Sequence, residues 1–392
     1  MNFAPFVRYV VVPIVISFSF SIDISVDAQN ILLRNWNYYI NTQSPSNPNL
    51  INLKTHASYF DYFIQSKINI WDGLSIKANT YLALDQNFSI NPEELYVSIQ
   101  TLQGLFWDYG KKKIAWGKSF GWNIFNIFDS NNKFQTFRLN YDNYSNIEWF
   151  MNKDLAISYI EDIDINSKAI KVHSSIFDCD IDLAAFRQND INSLGITGAK
   201  NIGEDLVAYF EAVAKGVNNL YYPQYLGSDI YVWGNKNSNF WPQYLIGCQY
   251  TTPENYNLFF EYFYNSLGLD DNDVDAYNKG IEASLSGGKY LNDSPYKAFM
   301  FNNLSYYQFN KFRRNYLFFM ISKDEILPNI SLSTATYYSI DEKCMLVLPN
   351  LEYRINNYSL LSCLFYIPVG ANDSEYRRFY NLYIQTTLKI EF

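Results

Sequence analysis

The chain has 392 residues, of which only 18% are Asp, Glu, Lys or Arg while 19% are Phe, Tyr or Trp. Soluble domains are closer to a quarter charged, so this composition argues against an ordinary soluble domain. The formal charge of −9 gives no support for binding nucleic acid.

The N-terminus reads as a processing segment. Arg8 gives a short positive lead, residues Tyr9 to Ile22 are almost wholly apolar or small, and Val26-Asp27-Ala28 offers small residues where a signal peptidase reads. A secretory signal over residues 1–28, cut after Ala28, is the expectation. The run falls short of the roughly 20 apolar residues that cross a bilayer, and Pro13 interrupts it. No second apolar stretch of helical spanning length follows, so any membrane insertion must use strands.

From there the chain alternates. Leu74, Ile76, Ala78, Thr80, Leu82 and Leu84 oppose Ser75, Lys77, Asn79, Tyr81, Ala83 and Asp85. Leu95, Val97 and Ile99 oppose Glu94, Tyr96, Ser98 and Gln100. Side chains alternate across a strand, so each segment has one apolar and one polar face. Asp72-Gly73, Asn152-Lys153-Asp154 and Asn356-Asn357 punctuate these runs as turns, with Trp71 at the first.

The stretch 110–129, GKKKIAWGKSFGWNIFNIFD, contains Gly117-Lys118-Ser119, the end of a phosphate-binding loop. Such a loop needs a glycine five residues before the Gly-Lys-Ser, and Lys112 stands there. Nucleotide binding is therefore excluded. The stretch reads as a strand from Leu105 to Ile114 running into a loop of some eighteen residues before Lys133. Its Phe120, Ile124, Phe125, Ile127 and Phe128 suit packing against a wall or an interior. Two placements are open. Either the loop folds inward, with Trp116, Lys118 and Trp122 narrowing a pore, or the tryptophans anchor in headgroups while Lys118 meets lipid phosphate.

Further along, Tyr256, Leu258, Phe260, Tyr262 and Tyr264 oppose Asn257, Glu261 and Asn265. The segment Leu267–Ala276, with Asp270, Asp271, Asp273 and Asp275, reads as an acidic, solvated loop with a weaker claim to Ca²⁺. Ile330, Leu332, Thr334, Thr336 and Tyr338 form another apolar face. At the C-terminus Tyr380, Leu382, Ile384, Thr386, Leu388, Ile390 and Phe392 oppose Asn381, Tyr383, Gln385, Thr387, Lys389 and Glu391. That length is close to what a tilted strand needs to cross a bilayer.

Hydrocarbon cannot satisfy backbone polar groups, so strands cross it only as an edge-free sheet. The fold class is therefore all-β: a transmembrane antiparallel up-and-down β-barrel of about 18 strands, with 16–20 allowed. The strand count carries one inconsistency. Working back from Phe392 puts the long segment Gly216–Phe240 on the outer side, and counting forward from Asp72-Gly73 puts it on the inner side, so a strand is split or missed between Lys133 and Lys215.

This pattern, ending in Phe392 with apolar residues at alternate positions before it, resembles Gram-negative outer-membrane β-barrel proteins. The resemblance implies a barrel assembly signal at Tyr380, Leu388, Ile390 and Phe392, read by the barrel assembly machinery. It implies residence in the bacterial outer membrane. Within that class, Gly110-Lys-Lys-Lys-Ile-Ala-Trp-Gly-Lys118 resembles a strand end of porin-like channels. That implies passive diffusion of small hydrophilic solutes, with a homotrimer and a monomer both compatible. Residues 29–53 read as a first strand or a periplasmic segment, and 54–392 as the barrel. Alternation nominates Lys77, Asn79, Glu94, Ser98, Gln100, Gln385, Thr387 and Lys389 as lining positions. The basic clusters at 111–113, 313–314 and 377–378 suit either selectivity or rims facing anionic headgroups.

With two histidines, His56 and His173, and four scattered cysteines (Cys179, Cys248, Cys344, Cys363), no metal, cofactor or enzymatic activity is expected. A competing reading is a surface protein that binds a partner through its outer loops, chiefly Gly216–Phe240 and Leu267–Ala276.

Overall fold

A computed structural model describes residues 25–41, 56–71, 73–83, 89–102, 104–114, 116–125, 143–163, 167–188, 191–216, 220–225, 231–236, 240–286, 311–372, 374–377 and 380–391. The strands in chain order are β1 (Ser25–Asn41), β2 (His56–Trp71), β3 (Leu74–Ala83), β4 (Ser89–Leu102), β5 (Leu105–Lys111), β6 (Asn143–Asn152), β7 (Leu155–Asp162), β8 (Ser167–Ile176), β9 (Cys179–Gln188) and β10 (Ile191–Ile202). They continue as β11 (Leu206–Lys215), β12 (Leu220–Tyr225), β13 (Tyr231–Lys236), β14 (Trp241–Thr251), β15 (Asn257–Asn265), β16 (Asn315–Leu327), β17 (Ile330–Ser339), β18 (Cys344–Asn356), β19 (Ser359–Val369) and β20 (Tyr380–Glu391). Among the described residues one helix, α1 (Asp271–Ser286), interrupts the series.

Eighteen of these strands form one antiparallel sheet, and β12 and β13 form a separate hairpin. Pairing runs from each strand to the next, passing from β11 directly to β14. It returns to its start because β1 pairs with β20, from Ile31 opposite Glu391 to Asn41 opposite Tyr380. Every strand of the sheet thus has two neighbours. That is the condition a sheet must meet where no water can satisfy an open edge.

The period-two pattern sets which face points inward. Along β11, Tyr209, Glu211 and Val213 are buried while Phe210 is exposed; along β15, Phe259, Glu261, Phe263 and Asn265 are buried while Phe260 is exposed. The apolar faces of β15, β17 and β20 point outward, as their alternation anticipates. No described helix is long and apolar enough to cross a membrane.

The two ends of the barrel differ. At one end every connection is tight: 72–73, 103–104, 153–154, 177–178, 203–205, 252–256, 328–329 and 357–358. Two of these tight turns are closed by asparagine side chains. Asp154 N–H donates to Asn152 Oδ1 (2.7 Å), and Tyr358 N–H donates to Asn356 Oδ1 (2.8 Å). The other end carries the long connections, including 112–142, 216–240 and 266–314.

Three expectations change. Six strands, β6 to β11, lie between 143 and 215, and the segment 216–240 sits at the long-loop end with β12 and β13 inside it. That is the end of the ring opposite the one where β20 finishes at Glu391. Strand β5 ends at Lys111 rather than Ile114, and the next strand begins at Asn143. The acidic segment 267–276 is not a loop, because α1 begins within it. Asp270 and Asp273 cap that helix reciprocally: Asp273 N–H donates to Asp270 Oδ1 (3.0 Å) and Asp270 N–H to Asp273 Oδ2 (3.2 Å). Two of the four carboxylates, Asp270 and Asp273, thus satisfy N–H groups at a helix start, while Asp271 and Asp275 are exposed and pair with Arg313 and Lys279.

Leu183 lies at the centre of β9 on the outward face. Leu183→Arg is expected to lower stability in lipid vesicles by about 2–4 kcal/mol, the cost of a cation near the midplane of a barrel's apolar belt. Denaturant titration of vesicle-refolded protein checks this.

Candidate functional site

The segment 112–125 leaves β5 and turns inside the barrel. Its burial shows where it lies: Trp122 is 3% exposed and Phe125 0%, and both pack in a cluster with Ile160, Phe186, Tyr209, Val213, Leu245, Phe263, Tyr316 and Phe318. These partners are inward-facing residues of β7, β9, β11, β14, β15 and β16. Trp122 is set among four rings, with centroids 5.1 Å from Phe263, 5.8 Å from Tyr316, 6.1 Å from Phe318 and 5.4 Å from Tyr337. Phe120 meets Phe259 at 4.6 Å. The inward placement of the loop is the one adopted, and neither tryptophan faces lipid.

What holds the loop is electrostatic. Glu211 of β11 and Glu261 of β15 are both 0% exposed. Glu211 Oε1 accepts from the backbone N–H groups of Lys118 (2.6 Å) and Ser119 (2.9 Å), and its Oε2 accepts from Phe125 N–H (3.1 Å). The Ser119 hydroxyl, 2.8 Å from Glu211 Oε1, also faces the Trp122 carbonyl. Glu261 Oε1 accepts from Phe120 N–H (2.6 Å) and from the Tyr209 hydroxyl (2.7 Å), and its Oε2 accepts from Gly121 N–H (2.9 Å). Tyr337 of β17 donates to the Gly121 carbonyl (3.3 Å). A buried carboxylate is costly unless its lone pairs are filled, and charge-assisted bonds to N–H groups are the strong ones.

Successive N–H groups converging on an anion make a nest, the principle by which a phosphate-binding loop works. Here Gly117-Lys118-Ser119 keeps that local behaviour, and its anions are the protein's own glutamates. Gly117 has φ of +105°, and a Cβ on it would lie 2.7 Å from Glu211 Oε1, so both backbone angle and space require glycine. The wall is shaped to match. A Cβ on Gly195 would lie 2.8 Å from the Phe125 ring, and one on Gly247 2.6 Å from the Tyr209 ring.

Beside the latch, the Lys118 ammonium lies 3.6 Å from Asp182 Oδ2, while His173 Nδ1 meets Asp182 Oδ1 at 2.8 Å. Lys171 Nζ sits 5.2 Å from the Trp116 ring centroid, a cation–π contact. His173 is thus an inward strand residue with a carboxylate partner.

Trp116, Lys118 and Trp122 are brought together by the loop. The other nominated residues are spread around the opposite arc. Lys77 stands opposite Lys67 in register, with its Nζ 5.9 Å from the Tyr96 ring. Glu94 accepts from Lys113 N–H (3.0 Å). Asn79 is opposite Gln65 and Glu94, and its side chain lies outside the described residues. Ser98 is opposite Asp108, and Gln100 is exposed beside the tight 103–104 turn. Gln385 is 5% exposed and bonded to Tyr383 and Thr387, so it is a covered wall residue and not an open lining one. Lys389 pairs with Glu391. Of the residues nominated as an assembly signal, Tyr380, Leu388 and Ile390 lie in β20, with Leu388 opposite Arg34 and Ile390 opposite Leu32; Phe392 lies outside the described residues.

Sequence reasoning missed Glu211 and left Glu261 as an ordinary polar-face residue. The available signal was a carboxylate on an inward face otherwise apolar: Tyr209, Glu211, Val213 on β11, and Phe259, Glu261, Phe263 on β15. Mid-strand Gly195 and Gly247 were a second signal, since glycine inside a strand marks a close approach. The four cysteines are free thiols. Among the described residues no group of three or more His, Cys, Asp or Glu side chains is placed to hold a metal.

No protein-family model matches the chain, and neither does any curated protein sequence. Solved structures do. A triple mutant of Rhodopseudomonas blastica porin is 8% identical, with 94% of this chain and 100% of that chain covered and a TM-score of 0.47. Another mutant of the same porin is 9% identical over the same shares, with a TM-score of 0.47. A loop-deletion mutant of OmpT, an outer membrane protein of Vibrio cholerae, is 8% identical over 94% of this chain and 99% of that one, with a TM-score of 0.42. In fold the chain resembles porin-like outer-membrane β-barrels. At these identities the likeness is one of fold alone.

Glu211→Ala strips the latch of a carboxylate and leaves three buried N–H groups without their acceptor. The expected loss is about 3 kcal/mol of local stability, at about 1–3 kcal/mol for each unsatisfied group with partial relaxation. Hydrogen exchange at residues 118–125 should accelerate by about a hundredfold, while the barrel strands keep their protection.

Proposed function

We propose that this chain is an outer-membrane channel for passive diffusion of small hydrophilic solutes, with its aperture set by the inward loop 112–125. The observation that carries the reading is the latch: a loop pinned inside an eighteen-strand ring by Glu211 and Glu261. A barrel of this strand number is wide enough to leave an aqueous lumen. A loop held by buried charges narrows such a lumen at a fixed place. Short turns facing the periplasm and long loops facing outward would orient it as bacterial barrels are oriented. Export with removal of residues 1–28, insertion by the barrel assembly machinery, residence in outer-membrane lipid and the absence of enzymatic chemistry belong to the same proposal. Assembly as a homotrimer is compatible with it.

A second reading draws on the long-loop end. Tyr222 of the β12–β13 hairpin, Leu269, Val274 and Tyr277 of the α1 region, and Phe312 form a separate buried cluster. An ordered cap of this kind would suit a surface protein that binds a partner through its loops.

Planar-bilayer recording separates the two. A channel shows discrete conductance steps, and replacing residues 116–125 with a short Gly-Ser linker raises the step size severalfold. Deleting 220–236 leaves the steps in place. Refolded, heat-modifiable wild-type protein that gives no steps would remove the channel reading.

A further inference from the structure

Lys67 of β2 and Lys77 of β3 stand directly opposite each other. Both belong to the inward face. Lys77 is opposite Tyr96, Tyr96 opposite Gly110, and Gly110 opposite Tyr144, which is buried in the core around the loop. Directly opposed residues share one face of a sheet. The strands that contribute to that core run from β6 to β17, and β2 and β3 are not among them. Lys67 is exposed. One rung toward the 72–73 turn the same face carries Asn69, Ser75 and Ser98.

Like charges directly opposite on neighbouring strands repel, and the pair costs stability unless an anion lies between them. Among the described residues neither ammonium has an ion pair. Lys77 meets a neutral ring, with its Nζ 5.9 Å from the Tyr96 centroid, and Lys112 approaches the same ring at 5.1 Å. A cation–π contact leaves the charge in place. The nearby carboxylates are engaged: Asp108 pairs with Lys112, and Glu94 accepts from Lys113 N–H (3.0 Å). Counting both, the patch of Lys67, Lys77 and Lys112 holds three ammonium groups against two carboxylates. Asp27 stands opposite Lys67 on β1, within residues 1–28, whose removal on export belongs to the proposed function.

We infer that Lys67 and Lys77 form an oxyanion site in the lumen, where a solute bearing a carboxylate or phosphate pauses on its way through. Passage rests on the channel reading, whereas binding rests on the register of the two lysines. Each ammonium offers three rotatable donors, and the Ser75 and Ser98 hydroxyls add donors one rung away. Hydrated point charges suit transit, since conduction needs binding strong enough to admit a solute and weak enough to release it. The overall charge of −9 favours cations at long range. The two glutamates of the latch, however, are buried and engaged by N–H groups, so on this arc the lysines set the field a solute meets.

The test uses protein exported to the outer membrane of a bacterial host, with heat-modifiable mobility confirming that each variant is folded. In planar bilayers under a KCl gradient, the wild-type reversal potential should show chloride passing several-fold better than potassium. The double variant K67Q/K77Q should keep the conductance steps and lose or invert that preference. Inorganic phosphate and citrate, added separately, should each lower the wild-type chloride current. The double variant should need about tenfold more of either for the same effect. K67R/K77R should behave as wild type, as should Lys323→Gln, which removes a cation from the outward face of β16. A response to one anion alone supports the site and names its class. Steps with a potassium preference, a chloride preference that the double variant retains, or no response to either anion would overturn the site and leave the channel reading standing. Absence of steps would instead remove the channel reading, and lysine acetylation read by mass spectrometry then decides the site. Phosphate or citrate should slow acetylation of Lys67 and Lys77 several-fold relative to Lys323, and no protection by either overturns it.

Discussion

Backbone N–H and C=O groups have no partner in hydrocarbon, and an unsatisfied one there costs several kcal/mol. Where no helix spans, a sheet can meet that constraint only by pairing every strand on both sides. The β1–β20 ladder therefore matters more than any one of the others. Without it two full strand edges, each more than ten residues long, would face lipid or another chain. Once the ring is closed, alternation follows everywhere. One set of side chains faces outward, the other meets the interior, and a slip of one residue would exchange them.

The interior then poses its own problem. A ring of this size is too wide for its inward side chains to fill from the walls alone. Over the arc from β6 to β17 the space is taken by residues 112–125, whose aromatic rings complete a core with the wall. A loop carries backbone groups that a buried site must satisfy. Glu211 and Glu261 do this for five successive or nearby N–H groups, and Tyr337 does it for a carbonyl. Each half makes the other tolerable: the carboxylates could not be buried without the donors, and the donors could not be buried without the carboxylates. Neither glutamate is conspicuous by composition, yet between them they fix where the loop lies.

The outside of the barrel shows the complementary logic. On β7 to β9 the outward row at the long-loop end is charged, with Glu161 opposite Lys168 and Lys168 opposite Arg187. The wall is thus graded along its axis as well as across its thickness. Inward, the same sector packs against the loop through Ile160 of β7, Ala169 of β8 and Phe186 of β9. Lys118 of the loop pairs with Asp182 of β9, and His173 of β8 shares that carboxylate.

The sequence alone determined the fold class, the outward faces of β3, β4, β15, β17 and β20, and the turns at Asp72-Gly73, Asn152-Lys153-Asp154 and Asn356-Asn357. These are local properties: a period of two and a few turn residues need no knowledge of distant parts of the chain. The same locality explains the errors. A helix start at Asp270 and Asp273 looks like an acidic loop until its N–H groups are seen, and the boundary of β5 blurs because Ile114 continues an apolar pattern after pairing has stopped. Only the tertiary structure decided that residues 116–125 fold inward. That choice rests on partners 93 and 141 residues away, Glu211 from Lys118 and Glu261 from Phe120. A linear reading could say that the loop wanted burial, but the carboxylates that receive it become neighbours only when the ring brings β11 and β15 to face β5.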